Sequence, residues 1–194
     1  MTRILLIAAS PTPWDVEDRV VGNHSLPLTE EAHKAISELI GELVPMISAI
    51  YRCKTNEACD ETARLLAEKY NLRPGHKADL NEMNLGLWQG LRREEIKFRF
   101  PKVIEQWQKQ PLTVQPPEGE TVPEAADRLK AAVQSVLKRN RGTTIALPLR
   151  PIAMRLISGF LRHEPLDETV RHLQDTTPME TIDLSDDDVR QILS

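Results

Sequence analysis

The stretch LLIAASPTPWDVEDRVVG, residues 5–22, changes from a strand to a loop within a few residues. Residues 5–7 are apolar without alternation, which is typical of a strand that is covered on both faces. Two prolines, a tryptophan and a mixed-charge segment follow. In α/β proteins, ligands bind outside the carboxyl ends of the strands, where such loops lie. Here that place is held by Ala8, Ala9 and Ser10, which frame a site without supplying the usual reactive groups.

Apolar strand patterns alternate with helical spacing along the rest of the chain. The predicted strands are Arg3–Ala9, Met46–Tyr51, TTIALPL (143–149) and METIDLS (179–185). Helices are predicted after Thr29, before Pro74, on both sides of Pro101, after Thr121 and through Met154–Leu161. The run LSDDDVRQ near the end is predicted to be a solvated tail. This alternation with long crossovers predicts an α/β sandwich with a mainly parallel sheet, in a single domain over residues 1–194.

Composition narrows the class of protein. The chain has 194 residues, is 40% hydrophobic and 28% charged, and carries a net charge of −4. This charge argues against a general attraction to nucleic acid or anionic lipid. The apolar stretch Ile4–Ala9 is far too short to span a bilayer, and no signal-peptide pattern follows it. Cys53 and Cys59 make neither a disulfide framework nor a zinc site, which indicates reduced thiols in a cytoplasmic protein.

Four stretches together resemble one protein family. They are TPWDVEDRVVGNHSLPLTEEAHKA (12–35), LNEMNLGLWQGL (80–91), PPEGETVPEAADRL (116–129) and, more weakly, YRCKTNEACDETARLLAEKY (51–70). Taken in the order in which they occur along the chain, they resemble segments of the histidine phosphatase superfamily, the phosphoglycerate-mutase-like proteins, over nearly the whole chain. The resemblance implies a three-layer α/β/α fold. It also implies a pocket in which a histidine attacks phosphorus, while two arginines and a second histidine bind the phosphoryl oxygens.

Most of the positions that carry this chemistry hold other residues here. The family's R-H-G motif falls on Ala8, Ala9 and Ser10, and its W-N pair falls on Trp14 and Asp15. Its second arginine falls on Glu57, and its second histidine on Leu149 or Arg150. None of these side chains replaces a nucleophilic imidazole. The carboxylate that donates a proton in the family has a counterpart in Glu82, and the surrounding Arg19 is also present.

The resemblance therefore implies a pseudoenzyme that acts by binding a protein or a small-molecule ligand, with no cofactor and no metal. Family members often self-associate, so a homodimer is compatible with the resemblance. The side chains predicted to line the cleft are Ser10, Thr12, Trp14, Asp15, Arg19, Arg52, Cys53, Glu57, Glu82 and Arg150.

Two alternatives remain open at this point. In the first, His24 or His33 acts as a displaced nucleophile. In the second, the protein is an enzyme of altered chemistry that uses Cys53 or the carboxylates of Asp15, Glu57 and Glu82. Such carboxylates are able to hold a divalent cation, but they also form salt bridges with neighbouring arginines. Ion pairs to Arg19, Arg52 or Arg150 are the expected arrangement.

Overall fold

The computed structural model describes residues 1–173, 175 and 177–194. Five strands form one sheet: β1 (Thr2–Ala8), β2 (Ala49–Arg52), β3 (Gly75–His76), β4 (Thr144–Leu149) and β5 (Met179–Leu184). Their order across the sheet is β3-β2-β4-β1-β5. β1, β2, β3 and β4 pair in parallel, and β5 runs antiparallel to β1 at the edge. The predicted mainly parallel sheet is confirmed.

The helices are α1 (Pro13–Val16), α2 (Glu30–Glu42), α3 (Glu57–Tyr70), α4 (Arg93–Arg99), α5 (Pro101–Lys109), α6 (Val122–Arg139), α7 (Pro151–Leu161), α8 (Leu166–Thr169) and α9 (Asp186–Leu193). Thr29 and Thr121 cap α2 and α6 as predicted, because each side chain accepts a hydrogen bond from a backbone N–H of the first turn. The break between α4 and α5 falls at Pro101, as the sequence predicts.

The sheet is covered on both faces, and the alternation of β1 distributes its side chains between two cores. Ile4, Leu6 and Ala8 join the core beneath α6, α7 and α9. Residues 5, 7 and 9 point to the other face and join the core beneath α2 and α3. This arrangement gives the three layers that the resemblance implies.

Three elements differ from the sequence prediction. β2 begins at Ala49 rather than Met46, whose side chain is exposed in the preceding loop. β3 was not predicted, since two residues are too few to show a strand pattern. The C-terminal run is a helix, α9, rather than a solvated tail. Ser185 caps this helix and Val189 and Ile192 are buried, so that interpretation was wrong.

The pairing of β1 with β4 determines where a site can form. Ala8 lies opposite Leu149 in the parallel register, so both strands end at the same level. The loop that leads to α1 therefore begins beside the first turn of α7. The N–H of Ala9 donates to the carbonyl of Leu149 at 2.8 Å, which ties the two exits together.

A turn at Gly86–Trp88 holds the loop beside this site, and it requires a glycine. Gly86 has φ +53°, and a Cβ there would lie 2.0 Å from the Pro117 carbonyl oxygen. We expect Gly86→Ala to lower the free energy of unfolding by about 2–3 kcal/mol, because backbone strain and a backbone clash add. Chemical denaturation of the variant and the wild type measures this difference in the free energy of unfolding.

Gly41→Ala is the matched control, because a Cβ at this helical position meets nothing within 4 Å. It is expected to leave stability unchanged or to raise it by about 0.5–1 kcal/mol. Equal losses in both variants would show that the turn at Gly86 is not constrained.

Candidate functional site

The site begins with apolar residues at the two strand ends. Ala8 and Ala9 follow the core of β1, and Leu149 ends β4; all three are buried. None of them offers a polar side-chain atom to a ligand. The charged residue that follows Leu149 is Arg150, which directly precedes α7.

Arg150 fills the space over the end of β1. Arg150 is only 2% exposed, and one terminal nitrogen of its guanidinium donates to the Ala9 carbonyl oxygen at 2.6 Å. The other terminal nitrogen donates to both carboxylate oxygens of Asp15, at 3.0 Å and 2.8 Å. An unpaired buried charge would cost several kcal/mol, so the guanidinium depends on this carboxylate.

Asp15 is held from a second side as well. The N–H and the hydroxyl of Thr12 both donate to one of its carboxylate oxygens, each at 2.7 Å. Burial by itself would raise the pKa of Asp15. The charge of Arg150 and the hydrogen bonds from Thr12 outweigh that effect and lower the pKa below its ordinary value of 3.8. Asp15 is therefore a carboxylate at neutral pH, and its expected ion pair with Arg150 is present.

Glu82 occupies the amino end of α7. This carboxylate is 4% exposed and accepts hydrogen bonds from the N–H groups of Ile152 and Ala153, both at 2.8 Å. It also accepts from Met83 at 2.7 Å. Burial raises the pKa of Glu82, whereas these N–H groups and the nearby charge of Arg150 oppose the rise. A helix N-terminus favours a bound anion, and here the chain supplies that anion itself.

A cavity of about 370 Å³ adjoins this pair of carboxylates. Its charged lining residues are Asp15, Arg19, Glu82, Arg93, Lys97 and Arg150, and its larger apolar ones are Leu85, Trp88, Ile96, Ile104, Trp107 and Leu173. The rings of Trp88 and Trp107 meet edge to face, with centroids 5.5 Å apart. In the described part of the chain, Trp88 Nε1 and Arg150 Nε are buried without a hydrogen-bond partner.

The structure brings four of the predicted cleft residues to this cavity: Asp15, Arg19, Glu82 and Arg150. The other predicted side chains do not line this cavity. Thr12 is buried and acts through Asp15, whereas Ser10 lies on a separate hollow against α2. Trp14 packs towards Gly90 and stacks on His24, with ring centroids 4.8 Å apart.

The remaining three predicted residues lie on or near α3. Arg52 turns away from the cavity and pairs with Asp60 at 2.9 Å. Cys53 is buried and contacts the Thr55 hydroxyl at 3.2 Å. Glu57 is exposed at the start of α3 and is not part of the cavity wall. The first turn of α3 directs its side chain to solvent, because Ala58 and Cys59 take the buried positions.

Neither alternative nucleophile reaches the cavity. His24 is exposed and stacked on Trp14, and His33 is exposed on α2. Cys53 and Cys59 are both free and buried, and burial strongly raises the pKa of the Cys59 thiol. Among the described residues, no group of three or more His, Cys, Asp or Glu side chains is arranged to hold a metal ion.

Sequence reasoning missed the contribution of α4 and α5. Ile96, Ile104 and Trp107 form much of the apolar wall, and Arg93 and Lys97 stand at its edge. The apolar residues of these helices indicate one buried side. The sequence does not tell which surface that side covers, since the two helices lie far along the chain from β1.

The fold and the site define the class: an α/β/α protein with its pocket at the adjoining carboxyl ends of parallel strands. Residues 4–193 match the histidine phosphatase superfamily, branch 1. The chain therefore belongs to this superfamily.

Similar proteins of known name agree with this assignment. The chain is 25% identical to phosphoserine phosphatase 1 of Hydrogenobacter thermophilus over 80% of this chain and 74% of that protein. It is 27% identical to a probable phosphoglycerate mutase GpmB of Yersinia pestis, over 83% of this chain and 75% of that one. The solved structure of Bacillus stearothermophilus YhfR superposes with a TM-score of 0.83 at 26% identity, covering 96% of this chain and 93% of that one. Within the described residues, no helix is both long and apolar enough to cross a membrane.

The Asp15–Arg150 pair predicts a pH-dependent stability. Because the pKa of Asp15 is lowered in the folded protein, its contribution is present above pH 3.8 and is lost as the pH falls through the folded pKa. We expect Asp15→Asn to lower the free energy of unfolding by about 2–3 kcal/mol at pH 7, because Arg150 stays buried without a counter-charge. The difference from the wild type should shrink below about pH 4.

Urea denaturation across this pH range measures the effect. Glu105→Gln is the control, because Glu105 forms an exposed pair with Lys109 on α5 and should cost less than about 0.5 kcal/mol. A loss in Asp15→Asn that does not change with pH would show that the carboxylate charge is not what stabilises Arg150.

Proposed function

We propose that this protein binds a ligand in the pocket of a histidine phosphatase fold and does not hydrolyse or transfer phosphate. The observation that carries the proposal is the Asp15–Arg150 ion pair, which lies over the strand end where the family resemblance implies a phosphoryl group. The guanidinium there already has its anion. A phosphate would have to displace a carboxylate that is held by two further hydrogen bonds, both from Thr12 of the same loop.

The residue types at the strand ends support the same proposal. By resemblance, the first arginine and the nucleophilic histidine correspond to Ala8 and Ala9, and a methyl group forms no bond to phosphorus. Loss of the nucleophile in a serine protease lowers turnover about 10⁶-fold. Glu82, which by resemblance corresponds to the proton donor, is engaged by three backbone N–H groups, and the described residues that line the cavity include no His, Cys, Ser or Thr.

An enzyme of altered chemistry finds no support in the arrangement of the candidates. Cys53 is buried away from the cavity, and the Glu57 side chain lies in solvent. Asp15 is paired with arginine rather than with a second carboxylate. The two buried free thiols fit the proposed cytoplasmic location, and the ligand is either a small molecule or a protein, with self-association as a homodimer included in the proposal.

The proposal predicts no turnover of phosphomonoesters. The assay uses purified protein with 4-nitrophenyl phosphate, phosphoserine and 3-phosphoglycerate. The last two are chosen because the relatives are named a phosphoserine phosphatase and a probable phosphoglycerate mutase. We expect phosphate release to equal that of the Glu82→Gln variant, prepared in the same way, since neither has a nucleophile. Turnover by the wild type that Glu82→Gln abolishes would overturn the proposal.

The proposal also predicts that removal of the Asp15 charge opens an oxyanion site. At an effective dielectric of 20, unit charges about 5 Å apart interact by roughly 3 kcal/mol, so removing the carboxylate strongly favours an incoming anion. We expect Asp15→Ser to bind orthophosphate at least tenfold more tightly than the wild type, as measured by calorimetry. Asp15→Glu keeps the charge and is expected to show no gain. Equally weak binding by all three proteins would show that Asp15 does not exclude phosphate.

A further inference from the structure

We infer that the 370 Å³ cavity beside α4 and α5 binds a small organic anion with an aromatic or branched apolar body, whose charged group lies at Arg93 and Lys97. The inference rests on the proposed function, because it gives the binding pocket a class of ligand. The anion that it describes sits at the mouth of the cavity, away from the strand ends where the family resemblance implies phosphate.

The inner wall fits an apolar body. Trp88 and Trp107 lie edge to face, and Leu85, Ile96 and Ile104 complete the surface around them. Cavities that bind small molecules usually have volumes of about 300–1,000 Å³ and are largely apolar, with a few polar groups that orient the ligand. This cavity falls within the lower part of that range. It therefore suits a ligand of one or two rings better than a sugar or a free inorganic ion.

The charges are distributed unevenly between the floor of the cavity, at Asp15, Glu82 and Arg150, and its mouth, at Arg93 and Lys97. On the floor, both terminal nitrogens of Arg150 are engaged by Ala9 and Asp15, and the carboxylate of Glu82 is engaged by backbone N–H groups. Among the described residues, Arg150 Nε and Trp88 Nε1 are buried without a partner, but the charge of Arg150 is already balanced by Asp15. The positive charge on the floor is already paired, so an anionic head group has to find its partners elsewhere.

The mouth supplies those partners on one face of α4. Arg93 and Lys97 are four residues apart, so they stand one turn from each other, and both line the cavity. Arg93 Nε pairs with the exposed carboxylate of Asp18 at 3.0 Å. Lys97 is exposed and forms no ion pair with any residue that the structure describes. Arg19 also lines the cavity but pairs with Glu17 at 2.7 Å, and Arg93 pairs with Asp18, so the charge of Lys97 is the one at the mouth that no ion pair among the described residues balances, and it favours an anion.

The test uses 2-naphthoate and its neutral analogue 2-naphthamide as probes, with calorimetry on the wild-type protein. We expect 2-naphthoate to bind one site with a Kd of about 1 mM or tighter, a value in keeping with a ligand of this size. The amide should bind several-fold more weakly, because it has the same shape without the charge. Absence of saturable naphthoate binding, or equal binding of the two probes, would overturn the inference.

Two variants locate the bound probe. Lys97→Gln should weaken the binding of naphthoate about two- to fivefold and leave the binding of the amide unchanged, as expected for loss of one exposed charge contact. Lys102→Gln is the matched control, since Lys102 is an exposed lysine on α5 outside the cavity wall. It should change the binding of neither probe. Ile104→Trp fills the cavity and should abolish binding of both probes, with its Tm measured to verify folding. Equal effects of the two lysine variants would also overturn the inference.

The outcomes separate this inference from the proposed function. A protein that releases no phosphate and binds no naphthoate keeps the proposed function and loses the inference. A protein that hydrolyses phosphomonoesters in a Glu82-dependent way loses the proposed function, whatever it does with naphthoate.

Discussion

A buried arginine needs a counter-charge, and much of the structure around this site follows from how Arg150 meets that need. The guanidinium lies over the end of β1 because β1 and β4 pair in parallel and end at the same level. Burial of this charge is tolerated only with Asp15 and the Ala9 carbonyl as partners. The loop from Ser10 to Asp15 therefore folds back over the strand end, with Thr12 fixing the carboxylate.

In the same region, two carboxylates of the chain itself occupy positions that attract anions. A helix N-terminus and a guanidinium at adjoining strand ends are two features that attract oxyanions. In this chain Glu82 occupies the first and Asp15 the second. Both are carboxylates attached to the chain itself, so they are present at high local concentration and no ligand is required to satisfy the site. The remaining space, lined by α4 and α5, is apolar with a cationic edge.

Several parts of the fold were predictable because their causes are local. The caps Thr29 and Thr121, the break at Pro101 and the buried strands all depend on neighbouring residues, and each agrees with the structure. The exceptions are elements whose causes lie elsewhere. β3 exists only because β2 presents an edge to it, and α9 is held by burial of Val189 and Ile192 as much as by its cap. For the site, the sequence predicted Asp15, Glu82, Arg19 and Arg150, but also Arg52 and Cys53, which face other partners.

By itself, the sequence determined the class of fold and the residue types at the strand ends, because strand periodicity and side-chain chemistry are properties of short segments. It also determined that Ala8 and Ala9 offer no reactive atom. Only the tertiary structure decided that Arg150 points inward to Asp15 while Arg52 points to Asp60. It alone placed Trp107 and Lys97 beside residues more than seventy positions earlier in the chain. Side-chain direction and long-range contact depend on how distant segments pack together, and no local pattern carries that information.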